Sequence, residues 1–480
     1  MEFPRDFKNK AVYMVGIKGQ GMTALAEILK ARDASVSGSD RKESFYTDSI
    51  LKRLGIPFYE EFSGEHIKSE FLCVIHSAAY DPGTNPELIT AQQKGIPLLS
   101  YPEALGLLSR QSDFNGVSGV HGKTTTTALV GTLIKFLNIP ATVLVGSEVP
   151  IFGNRSTLIT GDRYFIAEAD EYRRHFLNYS PNRVVITSIE TDHLDYYKDL
   201  SDILDAFTAF ALSLSREGML IYNQDDEGAR EVARRVQRQR RDIRYSPYGK
   251  QARGDYRISD IRSGAGEIRF RLDRFSDDFA LRIPGEHSVY NAAAAVALTM
   301  DLVDNRYTED CYSKLLREAL LAFGGSRRRS EVLGSALGIL FMDDYAHHPT
   351  AIRKTLQGLR NFYPGRRVVV DFMSHTYSRT KALLKDFATC FEPADRVILH
   401  RIYASAREEN RGGISGGELF QNVGQHHRDV IYFEEPLDAC EYLKSNLRLG
   451  DLFITMGAGN NWLLGRKLFE DMRREGGEDT

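Results

Sequence analysis

Apolar and polar positions follow one another along the chain with a period that switches repeatedly between that of a strand and that of a helix. Residues 11–15 form a short apolar run. A glycine-rich turn follows at 16–21, and then a stretch with helical spacing at 22–32. Residues 34–38 predict a second strand that ends at Ser39 and Asp40, which completes a strand–turn–helix–strand unit. Further strands are predicted at 71–75 and 96–100. Short strands separated by helices predict a parallel sheet covered on both faces. The polar stretch 109–113 interrupts this pattern and sets a first boundary near residue 110.

A second α/β segment begins at Phe114, where a glycine-rich turn at 116–122 opens into a helix predicted over 123–137. Strands are predicted at 142–145, 164–167, 183–187 and 218–222. The arginine-rich run 230–244 reads as a solvated helix face rather than a nucleic-acid surface. Alternation over 255–283 predicts antiparallel strands turning at 263–266, and 291–302 predicts a helix. A third segment starts near Gly324, with strands at 338–342, 367–372, 396–400 and 452–456. The tail 474–480 is expected to fray.

Composition bounds this picture without assigning a function. At ~150 residues per domain, 480 residues suggest about three domains. The apolar share of 42% is enough for several cores. With 62 basic and 65 acidic side chains the formal charge is -3, which argues against a dedicated nucleic-acid binder. Cys73, Cys311, Cys390 and Cys440 are scattered, so neither a disulfide framework nor a zinc ribbon is indicated. The N-terminus lacks an apolar run, and no stretch approaches the ~18 apolar residues of a membrane span. A cytoplasmic protein without a membrane partner is expected.

The strongest chemical signal is the run from Gly116 to Thr125, GVSGVHGKTT. Glycines let backbone N–H groups converge on phosphate oxygens, and the helix N-terminus favours an anion. Lys123 would reach the outer phosphates, and the Thr124 hydroxyl would ligate Mg²⁺. Gly116 precedes Gly122 by six positions, one more than the usual P-loop spacing. Two carboxylate clusters follow predicted strands, EADEY at 168–172 and ETDH at 190–193. Ligands gather at the carboxyl ends of parallel strands, and Mg²⁺ takes oxygen donors, so both clusters fit a metal–nucleotide site.

These runs, GVHGKTTTT (119–127), EADEY (168–172) and IETDHLDYY (189–197), resemble the ATP-dependent Mur ligases of peptidoglycan synthesis. GEHSVYNAAAAVAL (285–298), FGGSRRRSEVLG (323–334), DDYAHHPT (343–350), SHTYSRT (374–380) and TMGAGN (455–460) extend the likeness over nearly the whole chain. The resemblance implies an α/β protein of three domains. A Rossmann-like domain at 1–110 would hold the UDP-sugar. A central P-loop ATPase domain at 111–323 would hold ATP, and a Rossmann-like domain at 324–480 would hold the amino acid.

Site residues follow from the resemblance. Gly16, Gly19 and Gly21 would cradle the UDP diphosphate, and Asp40 would lie by the ribose or base. Gly119, Gly122, Lys123, Thr124 and Thr125 would serve ATP. Thr124, Glu168 and His193 would hold Mg²⁺. His287 and Asn291 match an adenine-side motif, Arg328 an arginine that approaches the phosphates, and Asp344 a further nucleotide contact. His347, His348, His375 and Arg379 would face the amino acid, the Arg379 guanidinium fork suiting its carboxylate. As catalytic groups the resemblance implies Lys123, Glu168, His193 and Arg328, with His348 the first choice of base and His347 the second.

Within that family, the DDYAHHPT run and the GxxGxGM opening most resemble members that join L-alanine to the lactyl carboxylate of UDP-N-acetylmuramate through an acyl phosphate, which implies that activity here. EADEY is also similar to the runs of family members that ligate a recycled tripeptide to the same sugar nucleotide. A catalytically silent nucleotide-binding regulator and a nicotinamide-dependent oxidoreductase are the other readings. The first glycine turn reads GxxGxG, not GxGxxG, which lowers the oxidoreductase reading. A monomer or homodimer is expected. The chain departs from the family pattern at Val120, Ser188, Ser288 and Thr376. No lysine lies between Asp199 and Gly249, so the modified lysine of some Mur ligases is expected to be absent.

Overall fold

The structure is a computed structural model that describes residues 2–4, 6–192, 196–264, 266–303, 308–404 and 413–477. Near the N-terminus, β1 (Ala11–Val15), β2 (Ser35–Ser39), β3 (Phe58–Tyr59), β4 (Phe71–His76) and β5 (Leu98–Ser100) form a parallel sheet in the order β3-β2-β1-β4-β5. Strand order reverses at β1. Such a reversal opens a crevice at the carboxyl ends of the strands, and the turn after β1 lies there.

The second sheet contains β6 (Asp113–Ser118), β7 (Ala141–Val149), β8 (Arg155–Ile159), β9 (Tyr164–Glu168), β10 (Arg183–Ile186), β11 (Met219–Asn223) and β12 (Arg244–Tyr248). Its order is β12-β11-β10-β6-β9-β7-β8, so β6 is flanked by β10 and β9. The P-loop leaves β6, and the carboxylate runs leave β9 and β10. A small antiparallel sheet of β13 (Ile258–Gly264), β14 (Glu267–Leu272) and β15 (Phe279–Leu281) matches the alternation read at 255–283.

The last sheet contains β16 (Glu331–Ala336), β17 (Ile339–Asp344), β18 (Arg367–Met373), β19 (Arg396–Leu399), β20 (Val430–Tyr432) and β21 (Asp451–Gly457), in the order β16-β17-β21-β18-β19-β20. Val368, Val370 and Phe372 of β18 enter one buried cluster, and Val369 enters another. Alternate residues of a strand point to opposite faces, so both faces of this sheet are covered. Two edge strands that the sequence pattern did not predict pair antiparallel. β8 runs antiparallel to β7, and β16 antiparallel to β17. A tight connection such as 337–338 between β16 and β17 permits only an antiparallel return.

Contacts group the chain into two units. The first comprises Met1–Ile189, Leu204–Ser246 and Ala294–Thr308. The second comprises Glu190–Ile203, Pro247–Ala293 and Glu309–Thr480. Among the described residues no helix is long and apolar enough to cross a membrane. The arginine-rich run is helical only to Gln237, since the helix spans Glu227–Gln237 and β12 starts at Arg244.

Candidate active site

The turn after β1 is built on Gly16, whose φ is +86°. A Cβ there would lie 2.7 Å from the Tyr80 ring, so only glycine fits. Gly19 precedes the helix Gln20–Ala31, and Gly21 lies in its first turn against Tyr101. Asp40 fastens this turn. Its carboxylate accepts from the Lys18 N–H at 2.8 Å, the Arg41 N–H at 2.8 Å and the Tyr80 hydroxyl at 2.7 Å. Its observed partners are therefore the loop, the residue that follows it in the chain and Tyr80, which packs on Gly16. Beneath the turn, Lys18 is buried, with Nζ 2.8 Å from Glu60 and 3.0 Å from the Glu43 carbonyl. No local pattern distinguishes that lysine from a surface one.

In the P-loop, Gly119 has φ +137°, and a Cβ there would overlap the Thr187 hydroxyl. The loop is braced on the end of β10. Val120 N–H donates to the Ser188 carbonyl at 2.8 Å, and His121 N–H to the Ser188 hydroxyl at 3.1 Å. The side chain at departure site 188 thus carries a loop contact. Gly122 caps the helix Lys123–Phe136. The Lys123 ammonium donates to both Glu171 oxygens, at 2.9 and 2.7 Å, and to the Gly119 carbonyl at 2.5 Å. Burial opposes its charge, but Glu171, Asp170 and Glu168 outweigh burial and raise its pKa. Thr124 donates to Glu168 Oε2 at 3.1 Å, while Glu168 Oε1 accepts from the Gly146 N–H. A hydroxyl and a carboxylate meeting beside a phosphate loop form a hard-oxygen pair suited to Mg²⁺. Thr125 is half-buried in the same turn. His193 lies outside the described residues. The role of Glu171 was missed, although EADEY contains it, because its partner is distant in sequence.

His287 and Asn291 lie at the start of the helix Glu286–Leu302, four positions apart and so on one helical face. At departure site 288, the Ser288 hydroxyl donates to the Pro284 carbonyl at 2.8 Å. Arg328 is held within the second unit, by Asp343 at 3.0 Å and the Gly457 carbonyl at 2.6 Å. Asp344, buried at the end of β17, accepts from the Ser330 N–H at 2.6 Å and the Ala346 N–H at 2.7 Å.

His347, His375 and Arg379 come together in the second unit. The His347 and His375 rings are 6.0 Å apart, and Arg379 Nη1 is 3.4 Å from His375 Nδ1. Arg379 Nη2 also donates to Asp192 at 2.9 Å. The guanidinium expected to take a substrate carboxylate thus rests on a protein carboxylate here. Burial and the Arg379 charge lower the His347 pKa well below its ordinary value, so this imidazole is neutral. Its Nδ1 faces the Tyr345 carbonyl at 2.8 Å, so Nδ1 carries the hydrogen and Nε2 keeps a lone pair. His348 differs. It is buried and caps the helix Pro349–Phe362, its Nδ1 accepting from the Thr350 N–H at 3.4 Å.

Family models match the chain in three stretches: "Mur ligase family, catalytic domain" at 11–113, "Mur ligase middle domain" at 117–299 and "Mur ligase, glutamate ligase domain" at 328–459. The sequence is 50% identical over 474 residues to a UDP-N-acetylmuramate–L-alanine ligase of Treponema pallidum (strain Nichols), with 98% of each chain covered. Among solved structures, a UDP-N-acetylmuramate–alanine ligase from Thermotoga maritima aligns with a TM-score of 0.78 at 24% identity, over 97% of this chain and 99% of that one. A murein peptide ligase from Psychrobacter arcticus 273-4 aligns with a TM-score of 0.67 at 20% identity, over 97% and 99% of the two chains. These two structures share the fold, a three-domain α/β architecture. With half of its residues identical to a full-length relative and three family models matched in order, the chain belongs to the Mur ligase family.

Proposed function

We propose that the chain is an ATP-dependent ligase that joins L-alanine to the lactyl carboxylate of UDP-N-acetylmuramate, a step in peptidoglycan precursor synthesis. The observation that carries the reading is the triad Lys123, Thr124 and Glu168 at the carboxyl ends of β6 and β9, a phosphate and hard-cation site. The name of the 50%-identical relative supports alanine as the acceptor. The module at 1–110 holds the sugar nucleotide, that at 111–323 holds ATP, and that at 324–480 binds the amino acid.

A carboxylate is a poor electrophile, so an oxygen of the lactyl carboxylate attacks the γ-phosphorus of ATP and ADP departs. Lys123 leaves Glu171 to offset the charge that develops on the transferring group. Thr124 and Glu168, with His193 as the family likeness implies, would hold Mg²⁺, which would supply further charge compensation at the phosphates. Arg328, held by Asp343 and the Gly457 carbonyl, is the arginine that the family likeness assigns to the phosphates. The alanine amine then attacks the acyl carbon, the tetrahedral intermediate expels phosphate, and the amine proton passes to a base. His347 suits that role better than His348. Its Nε2 lone pair is available at neutral pH, whereas His348 Nδ1 already serves as a helix cap. Arg379, with His375 beside it, takes the alanine carboxylate in place of Asp192.

The test is ADP formation with UDP-N-acetylmuramate, offering each amino acid and the recycled tripeptide separately. Turnover with L-alanine is expected. Turnover with the tripeptide alone would reassign the acceptor, and no turnover with any amine would overturn the ligase reading.

A further inference from the structure

One buried titratable cluster has no part in that chemistry. His400, immediately after β19, and Asp371, within β18, are both fully buried, with His400 Nε2 2.8 Å from Asp371 Oδ2. The other ring nitrogen, Nδ1, is 3.1 Å from the Phe433 carbonyl. Both ring nitrogens thus face oxygens that only accept. A neutral imidazole has one N–H and would set a lone pair against an oxygen, so beside an ionised Asp371 the ring is the imidazolium. Burial favours the neutral ring, yet Asp371, the Phe433 carbonyl and Glu435 outweigh it and hold the His400 pKa above its ordinary value. Asn461 completes the cluster, its amide donating to Asp371 Oδ1 at 2.9 Å and to the Met456 carbonyl at 3.0 Å.

This cluster joins three chain segments just under the candidate amino-acid residues. Two residues beyond Asp371, β18 ends and the chain enters Ser374, His375 and Thr376. The segment after His400 pairs with it. Tyr403 N–H donates to the Ser374 carbonyl at 2.8 Å, and Thr376 N–H to the Tyr403 carbonyl at 3.1 Å. The Tyr403 ring stacks on His375 at 6.0 Å. Thr376 has φ +67°, which a β-branched residue adopts only when its surroundings impose it. Arg379 lies in the short helix Tyr377–Ala382 that follows. A fixed separation between Asp371 and His400 therefore fixes the pairing of 374–376 with 403, and with it the strained turn that aims His375 and Arg379.

We propose that Asp371 and His400 are positioning residues, a buried ion pair that holds His375 and Arg379 in place for the incoming amino acid. The positioning claim rests on the geometry, and its object, the amino acid, rests on the proposed function. Two full-length variants test it. Asp371→Asn keeps the shape of the side chain and removes its charge. His400→Phe keeps a ring and removes both donors. Hydrogen–deuterium exchange over 374–380 should rise at least about tenfold in either variant, with exchange over 11–100 unchanged, as local opening becomes easier. The KM for L-alanine should rise about tenfold with the KM for ATP within twofold, the pattern of lost substrate positioning. Unchanged exchange over 374–380 in a folded variant would overturn the proposal. So would equal losses in both KM values with exchange raised throughout the chain. If the wild-type protein turns over no amino acid, the function reading falls, while the exchange measurement still decides whether the pair holds the segment.

Discussion

Lys123 meets three oxygens of its own chain, two from Glu171 and one from Gly119. An ammonium has three N–H donors, so phosphate must displace at least one of these partners to be gripped. Glu171 thereby keeps a buried cation compensated while no phosphate is bound. Replacing Lys123 removes both the grip and this compensation. Lys123→Ala should lower ligation by about 10²–10³-fold or more, while UDP-sugar binding, proposed for the turn after β1, stays within twofold. Calorimetric titration with the sugar nucleotide beside an ADP-release assay checks this, and equal loss of both would count against separate sites. The motif runs made Lys123 and Thr124 legible. Glu171, Asp192 and Asp371 were not, because an acidic side chain shows its partner only once the chain has folded.

At the scale of elements, the loops follow strands whose order sets their neighbours. The P-loop after β6 reaches the ends of β9 and β10 because those strands flank β6. In the last sheet the ends of β18, β19 and β21 are tied by Asp371, His400 and Asn461. This tie has a pH dependence of definite sign. His400 faces Asp371 from β18, and the Phe433 carbonyl and Glu435 from the segment after β20, where Arg401 also pairs with Glu435 at 2.7 Å. With the folded pKa raised, the pair's contribution is full below the unfolded value of ~6.5 and is lost as pH rises through the folded value. Denaturant unfolding of the wild type should therefore show a loss of stability on the alkaline side that Asp371→Asn lacks. Parallel curves for the two proteins from about pH 6 upward, a range set by the ~6.5 reference, would contradict a charged His400.

For the whole molecule, contacts group the chain into two compact units. The turn after β1 and the P-loop belong to the first, and His347, His375 and Arg379 to the second. A chain of this kind need not unfold in one step. Scanning calorimetry should resolve two transitions. A non-hydrolysable ATP analogue at ~100 times its Kd should stabilise the unit that carries the P-loop by about 2.7 kcal/mol. One merged transition would show that the two units unfold together.

The α/β class, the P-loop and the succession of motifs were set by the sequence alone. They depend on local hydrophobic period, on glycines where the backbone turns sharply, and on short runs of neighbouring residues. The antiparallel edges at β8 and β16 were not legible, since pairing direction depends on which neighbour is met in space. The same holds for the pedestal of Lys18 and for Asp40, which binds its own loop. It holds also for the choice between His347 and His348, which adjoin in sequence. One is held by a carbonyl that leaves its far nitrogen a lone pair, and the other spends a ring nitrogen on a helix N-terminus. Only the folded structure separates them, because the backbone turn around each side chain decides which ring nitrogen meets a carbonyl and which meets an N–H of a helix.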